Sequence, residues 1–192
     1  MGRKRVVDQQ SILDAAEQVV ARDGAANLTI ERVAAEAGVS KATVLYDFKS
    51  KQAIMEAVIE RAFQRDNAAH GEVEAALQQS GSSSVAASRI VTASAPPLDD
   101  FRNAALNLSA ALVLDQGLRE KMQLNQAAVL GRIQETEASP RGAQLAYLAL
   151  EGLKLLEHFD FHHFDSAERA RVLREIHWLV TAELGEVPLP TT

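Results

Sequence analysis

Apolar residues recur at helical spacing along nearly the whole chain, and no strand-like alternation holds over a useful length. Ile12, Ala15, Ala16, Val19 and Val20 fall at i, i+3, i+4, i+7 and i+8, one face of an amphipathic helix. A first helix is therefore expected from about Gln10 to Arg22, stopped at Asp23-Gly24, with Leu28 packing back on its apolar face. Thr29 is a good N-cap for a second helix, Ile30 to Ala37, whose inward stripe is Ile30, Val33, Ala34 and Ala37. Gly38 ends it, Val39 is the apolar residue of the turn, and Ser40 caps a short third helix from Lys41 to about Phe48. Val44 and Phe48 lie four apart and should be buried together. Ala42 and Tyr46 then face outward, with Thr43 and Leu45 on their flanks. Ser50 caps a fourth helix reaching about Gln78, some 27 residues and about 40 Å long.

The second half continues the same way. QQSGSSS at 78–84 reads as a linker. A fifth helix is expected over about Val85 to Ala93, and Pro96-Pro97 breaks the chain after it. A sixth follows over about Leu98 to Leu114. Asp115 should cap a seventh, to about Glu137, with Leu118, Met122, Asn125 and Val129 on one face. Ser139-Pro140 is a serine cap followed by proline at the first helical position. The eighth helix, about Pro140 to Phe159, is apolar nearly all round, which implies burial on two sides, one of them against a partner. Asp165 or Ser166 caps a ninth, to about Leu184, and the tail GEVPLPTT should fray.

Composition narrows the class. Of 192 residues, 47% are hydrophobic and none is cysteine, so a substantial core is possible while disulfides and cysteine-based zinc sites are excluded. Leu and Ala dominate, favouring helix. No window approaches the roughly 20 apolar residues of a membrane span, and MGRKRVVDQQ has no signal-peptide core; a soluble, cytoplasmic protein without a membrane partner is expected. The net charge of −6 argues against a general nucleic-acid coat. The charge is uneven, however: residues 1–52 carry eight Lys/Arg against seven Asp/Glu, and residues 53–192 carry twelve against nineteen. A basic excess at Arg3, Lys4 and Arg5 suits a protein that touches DNA with one small end.

The skeleton of a helix-turn-helix is present in Val33, Ala34, Ala37, Gly38, Val39 and Val44: apolar positions on the second helix, a small residue at the crossing, glycine at the turn and an apolar anchor on the third. The alternative for this stretch is an ordinary pair of core helices. The run LTIERVAAEAGVSKATVLYDFKSK (Leu28–Lys51) resembles the TetR family of one-component transcription factors. The family pattern resembles T-x-x-x-I/V-A-x-x-A-G-V-S-x-G-T-L-Y-x-x-F-x-S-K, and Thr29, Val33, Ala34, Ala37, Gly38, Val39, Ser40, Thr43, Phe48, Ser50 and Lys51 stand in matching places. The likeness covers about residues 9–65; beyond it only the architecture matches. Ala42 departs where the family often has glycine and Val44 where it often has leucine. Leu45 replaces the usual backbone-touching tyrosine, with Tyr46 one place later. Asp47 is unusual beside phosphate; facing Lys49 or Lys51, or contacting a cytosine amino group, are its open alternatives.

The resemblance implies an all-α protein of about nine helices. Residues 1–52 would form a helix-turn-helix DNA-binding domain, and 53–192 a helical effector-binding and dimerisation domain. It implies that Thr29 and Lys51 hold phosphates. Lys41, Ala42, Thr43 and Tyr46 would enter the major groove, with Ser40 and Leu45 completing the DNA-facing set. Arg3, Lys4 and Arg5 would form an arm, unless they are merely a basic tail. Specific binding by so small a head needs two, so a homodimer through helices at about 140–159 and 166–184 is implied. Its heads would sit about 34–36 Å apart on a near-palindromic double-stranded operator. The function implied is a ligand-responsive regulator, a repressor released by a small-molecule effector of unknown identity.

Phe101, Arg102, Met122, Asn125, Tyr147 and Glu151 are candidate lining residues for that effector, the alternative being a plain core with polar rims. Glu151 stands out because a buried carboxylate is costly unless paired; a ligand, a cross-dimer partner or a water-lined edge are its open alternatives. His158, His162 and His163 cluster with Asp160 and Asp165, so a metal-binding helical enzyme is one competing reading, and a dimeric scaffold without DNA binding is another. The chain has no HExxH, no G-x-S-x-G and no Gly-rich phosphate loop. No catalytic residue, metal site or cofactor is therefore expected.

Overall fold

The computed structural model describes residues 8–81, 83–95 and 115–185. The arm at Arg3, Lys4 and Arg5, the Pro96-Pro97 break, the helix expected over 98–114 with Phe101 and Arg102, and the end of the tail lie outside the described residues. Among the described residues there are eight α-helices, one 3-10 turn and no strand. The helices are α1 (Gln9–Asp23), α2 (Ile30–Ala37), α3 (Lys41–Asp47), α4 (Lys51–Gln79), α5 (Val85–Thr92), α6 (Gln116–Thr136), α7 (Pro140–His158) and α8 (Ser166–Thr181). The described residues divide into two compact units, 8–65 with 115–122, and 66–95 with 123–185. Long helices α4 and α6 contribute to both.

The first unit is built by local signals. Asp8 caps α1, its side chain accepting from the Gln10 N–H at 3.3 Å. Thr29 caps α2 by accepting from the Arg32 N–H at 3.2 Å, and Ser40 caps α3 by accepting from the Thr43 N–H at 3.1 Å. Each such cap stabilises by about 1 kcal/mol. Gly38 takes the left-handed conformation at φ 66°. The next N–H, of Val39, reaches back to the Ala34 carbonyl at 2.9 Å, the backbone closure that turns the chain from α2 into α3. Ile12, Val19, Leu28, Val33, Val44, Ile54 and Ile59 are fully buried in one core. Phe48 is buried with them, although α3 ends one residue earlier than the spacing predicts: Phe48 has already left the helix, at φ −123°. Arg61 ties α4 to α1 by pairing with Asp14 and, at 3.2 Å, with Glu17; Arg65 adds a 2.9 Å pair to Glu17.

In the second unit, Ala143, Ala146, Tyr147, Leu150 and Leu153 of α7 pack with Leu173, Ile176 and Val180 of α8, Val85 and Ile90 of α5, and Val129 and Ile133 of α6. On the other side of α7, Leu145, Leu148 and Leu155 remain exposed, so the second apolar face expected from the sequence is uncovered in the single chain. Gly142 is needed where α7 meets the end of α8: a Cβ there would collide with the Leu179 carbonyl and come within 2.9 Å of that of Ala182.

The helix boundaries bring two corrections. Ser139 does not cap α7; its hydroxyl donates instead to the Ala182 carbonyl at 2.9 Å, while Pro140 does stand in the first turn. The C-terminal helix stops at Thr181 rather than Leu184, because the residues after it turn to meet Ser139. Of the two candidate caps for that helix, Asp165 is the one used, accepting from the N–H groups of Ala167 and Glu168 at 2.9 and 2.8 Å.

Buried charge holds the short helix α5 at both ends. Glu137, following α6, accepts from Ser84 Oγ at 3.0 Å and from the Ala86 N–H at 2.9 Å. At the other end Arg169 of α8 donates to the carbonyls of Ala93 and Ser94, at 2.8 and 3.1 Å. The same guanidinium makes a bidentate pair with Glu157, at 2.6 and 3.2 Å. Replacing Arg169 with Met leaves Glu157 buried and unpaired and should cost about 3–5 kcal/mol. Adding Glu157→Leu should restore the part due to the stranded carboxylate but not the part due to the lost bonds to the Ala93 and Ser94 carbonyls, as urea unfolding of the single and double variants would show.

Candidate functional site

On α3, burial of Val44 leaves the opposite side to solvent. Lys41 and Ala42 are exposed, Thr43 and Leu45 are half-buried on the flanks, and Tyr46 is 79% exposed. Ala42 keeps this surface low enough for a close approach, and the Tyr46 phenol stands clear of it. The Ser40 and Thr43 hydroxyls lie 2.9 Å apart and bond to each other. Lys41 pairs with Glu31 of α2, and that hydrogen bond is the main reason the Glu31 carboxyl titrates below its ordinary value.

The lysines after α3 do not serve Asp47. Lys49 Nζ donates to the Tyr46 carbonyl at 2.8 Å and lies 5.4 Å from the centre of the Tyr46 ring, a cation–π arrangement. Lys51 Nζ donates to the Ala26 carbonyl at 3.0 Å, in the 3-10 turn Ala25–Asn27 that leads to Thr29. Pairing of Asp47 with either lysine is thus corrected: both ammonium groups are drawn to backbone carbonyls.

A second constellation lies inside the helical unit 66–95 with 123–185. Asn67 of α4 donates to Asn125 of α6 at 2.9 Å and accepts from Arg89 of α5 at 3.2 Å. The Arg89 guanidinium lies 5.8 Å from the ring centre of Tyr147, whose hydroxyl donates to Gln126. His70 Nδ1 is 3.1 Å from Thr92 Oγ1. Because the Thr92 hydroxyl donates to the Ser88 carbonyl at 2.9 Å, the bond between them takes its proton from His70. His70 Nε2 is 3.3 Å from Asp66 Oδ1 but not aligned as a full hydrogen bond, and both it and Arg89 Nε are buried without a hydrogen-bond partner. Burial works against ionisation of Asp66, yet His70, Lys154 and Arg89 outweigh it and hold its pKa below the ordinary value. Burial, and then the charge of Glu151, push the Tyr147 phenol up to about 12.

Of the residues expected to line an effector pocket, the structure places Asn125 and Tyr147 in this network. Glu151 is not a stranded buried charge: it is half-exposed and paired with Lys154 at 2.9 Å. Met122 belongs to the first unit, and Phe101 and Arg102 lie outside the described residues. The network also contains Asp66, Asn67, His70 and Arg89, which the sequence reading does not single out. Arg89 carried a usable signal, as the one charged side chain in the run VAASRIVT. Around the histidine loop, no three potential ligands converge among the described residues. His162 instead packs edge-on against Phe164, with ring centres 4.4 Å apart.

A family profile described as bacterial regulatory proteins, tetR family, matches residues 12–58, and one described as Tetracyclin repressor-like, C-terminal domain, matches residues 82–181. The chain belongs to the TetR family. Similar solved structures include a transcriptional regulator from Streptomyces coelicolor A3(2), with 18% identity and TM-score 0.71, covering 91% of this chain and 98% of that one. The multidrug binding protein EbrR complexed with malachite green is 21% identical with TM-score 0.71, covering 94% of this chain and 100% of that one. A transcriptional regulator from Saccharomonospora viridis in complex with choline is 18% identical with TM-score 0.63, covering 89% and 94%. No curated protein matches the chain. This TetR-family chain thus has the fold of a DNA-binding transcriptional regulator, and among its described residues no helix is long and apolar enough to cross a membrane.

The Tyr147 shift has a stability consequence. The fold favours the neutral phenol, so its contribution is fully present below pH 10 and is lost as pH rises towards about 12. Tyr147→Phe should flatten that part of the alkaline limb in a stability-versus-pH profile measured by urea unfolding.

Proposed function

We propose that the chain is a homodimeric repressor that reads a near-palindromic operator with α3 and leaves it when a small organic effector enters the polar cluster around Asn67, Arg89 and Tyr147. The observation that carries the DNA reading is the outer side of α3, where Lys41, Ala42 and Tyr46 are exposed while Val44 anchors the helix. Thr43, Leu45 and Ser40 border that side, and Thr29 and Lys51 flank it as phosphate contacts, supported by the N-terminal end of α4. Residues 1–52 act as the DNA-binding part and 53–192 as the effector-binding and dimerisation part. Arg3, Lys4 and Arg5 belong to the first as a basic arm.

The dimer forms through α7 and α8, with the exposed Leu145, Leu148 and Leu155 at its centre; apolar side chains at such a density gain most from a partner's face. Effector chemistry has support in kind from EbrR with malachite green and the S. viridis regulator with choline. In this chain the buried Arg89 Nε has no hydrogen-bond partner and His70 Nε2 has only its off-line contact with Asp66, so both are polar groups that a ligand can satisfy. The link from effector to DNA is α4, continuous from Lys51 to Gln79: a tilt begun among Asp66, Asn67 and His70 moves the end beside α3. Double electron–electron resonance between labels on the two heads should record a changed separation in the effector-bound dimer; an unchanged separation would overturn this mechanism.

With an operator selected from random duplexes, Tyr46→Ala should weaken binding by about tenfold or more, and Lys51→Ala should lower the salt slope by about one. Both should leave the dimer intact in sedimentation. Glu31→Gln should strengthen binding a fewfold, because it releases Lys41 from its partner in the free protein. Unaltered affinity in Tyr46→Ala and Lys51→Ala together would refute the docking.

A further inference from the structure

A groove of about 930 Å³ runs between α5 and α8, on the side of α5 away from Ser88, Arg89 and Thr92. Ile90 and Val91 form one wall and the loop His163–Ser166 closes one end. Along α8 the lining comes from Ala170, Arg174, His177, Trp178 and Thr181, at i, i+4, i+7, i+8 and i+11, one continuous helical face. Small Ala170 keeps that face open at the end next to the loop His163–Ser166. Leu173 lines its depth, and Trp178 stands at the rim with 66% of its surface exposed.

The charges around this groove are unequal in their commitments. Arg169, which also lines it, is consumed by Glu157 and the carbonyls of Ala93 and Ser94. Asp165, at the end closed by the loop, accepts the N–H groups of Ala167 and Glu168 with Oδ1 as the cap of α8. On the next face of α8, Arg171 and Glu175 pair with each other at 3.6 Å. That leaves the Arg174 guanidinium as the uncommitted cation of the lining, about two helical turns from Asp165, with the imidazoles of His163 and His177 as further polar groups of the same lining. A guanidinium presents a planar fork of donors suited to a carboxylate or sulfonate, and an indole face with Val91 and Leu173 suits a flat apolar body.

We propose that this groove is a small-molecule site for an amphipathic anion, an aromatic or aliphatic body carrying one carboxylate or sulfonate. The body lies between Val91 and Trp178 and the anion meets Arg174. The site is separate from the polar cluster of the proposed effector core and uses none of its residues, although α5 contributes to both.

Trp178 is the only tryptophan in the chain, so its fluorescence reports directly on the groove. Anilinonaphthalene sulfonate should quench Trp178 on binding to the full-length protein, and phenylnaphthylamine, the same ring system without the anion, should bind more weakly. Arg174→Gln should weaken the sulfonate by about tenfold or more, as expected for loss of one charge-assisted contact, and leave phenylnaphthylamine unchanged. Arg174→Lys should retain most of the sulfonate binding. Ala170→Phe, at an exposed helix position, should abolish binding of both probes while the helical circular dichroism stays the same. The proposal is overturned if the sulfonate binds Arg174→Gln as tightly as the parent, if the neutral probe binds as tightly as the anion, or if neither probe quenches Trp178. It is equally overturned if Trp178 proves inaccessible to acrylamide in the dimer, since a second copy would then cover the groove.

Discussion

Helix α5 has only eight residues, too few to be stable on its own, and it is held by buried charge at both ends. Glu137 takes the N–H of Ala86 and the hydroxyl of Ser84 at its start, and Arg169 takes two carbonyls at its finish. The signs complement the helix dipole, anion at the N-terminus and cation at the C-terminus. Desolvating an ion costs several kcal/mol and is offset only when the remaining donors and acceptors are also used. Arg169 meets that condition, dividing its fork between Glu157 and the last turn of α5. The position of α5 then shapes both sides of the unit, because one side of it offers Arg89 and Thr92 to the polar cluster and the other offers Ile90 and Val91 to the groove.

The same reasoning applies to α3 with different means. Its seven residues bury one fully enclosed side chain, Val44, and depend on Phe48 just beyond its end. Burying a side chain of that kind stabilises by about 2 kcal/mol, and the Ser40 cap adds about 1 kcal/mol. Nothing else on the helix is committed to the core, which is why its outer side is free for recognition. In the free protein the basic groups around it are occupied: Lys41 by Glu31, Lys49 by the Tyr46 carbonyl and Lys51 by the Ala26 carbonyl. These are exposed contacts of low individual worth.

The DNA-binding head and the outline of the bundle were legible in the chain because their determinants are short-range. Thr29, Ser40, Ser50 and Asp115 each act on a residue three positions away, and Gly38 acts on its own backbone. Ser139 misled because its hydroxyl found the Ala182 carbonyl, 43 positions away, in place of the neighbouring N–H group. For Glu151 the apolar surroundings in the chain left several environments open, and packing selected the half-exposed edge of α7, where it pairs with Lys154.

By itself the sequence determined the order and approximate extent of the described helices, which face of each is apolar, and that α3 must show its Ala42 and Tyr46 side. These follow from backbone capping and from the helical repeat, which involve residues within a few positions. Only the tertiary structure decided which polar residues are buried together. The carboxylate of Glu137 meets Ala86 across 51 positions, Arg169 meets Ala93 across 76 and Asn67 meets Asn125 across 58. Each bond exists because a charge or amide taken out of water must find a partner wherever packing has placed one, and that placement is a property of the assembled helices and of no local stretch of chain.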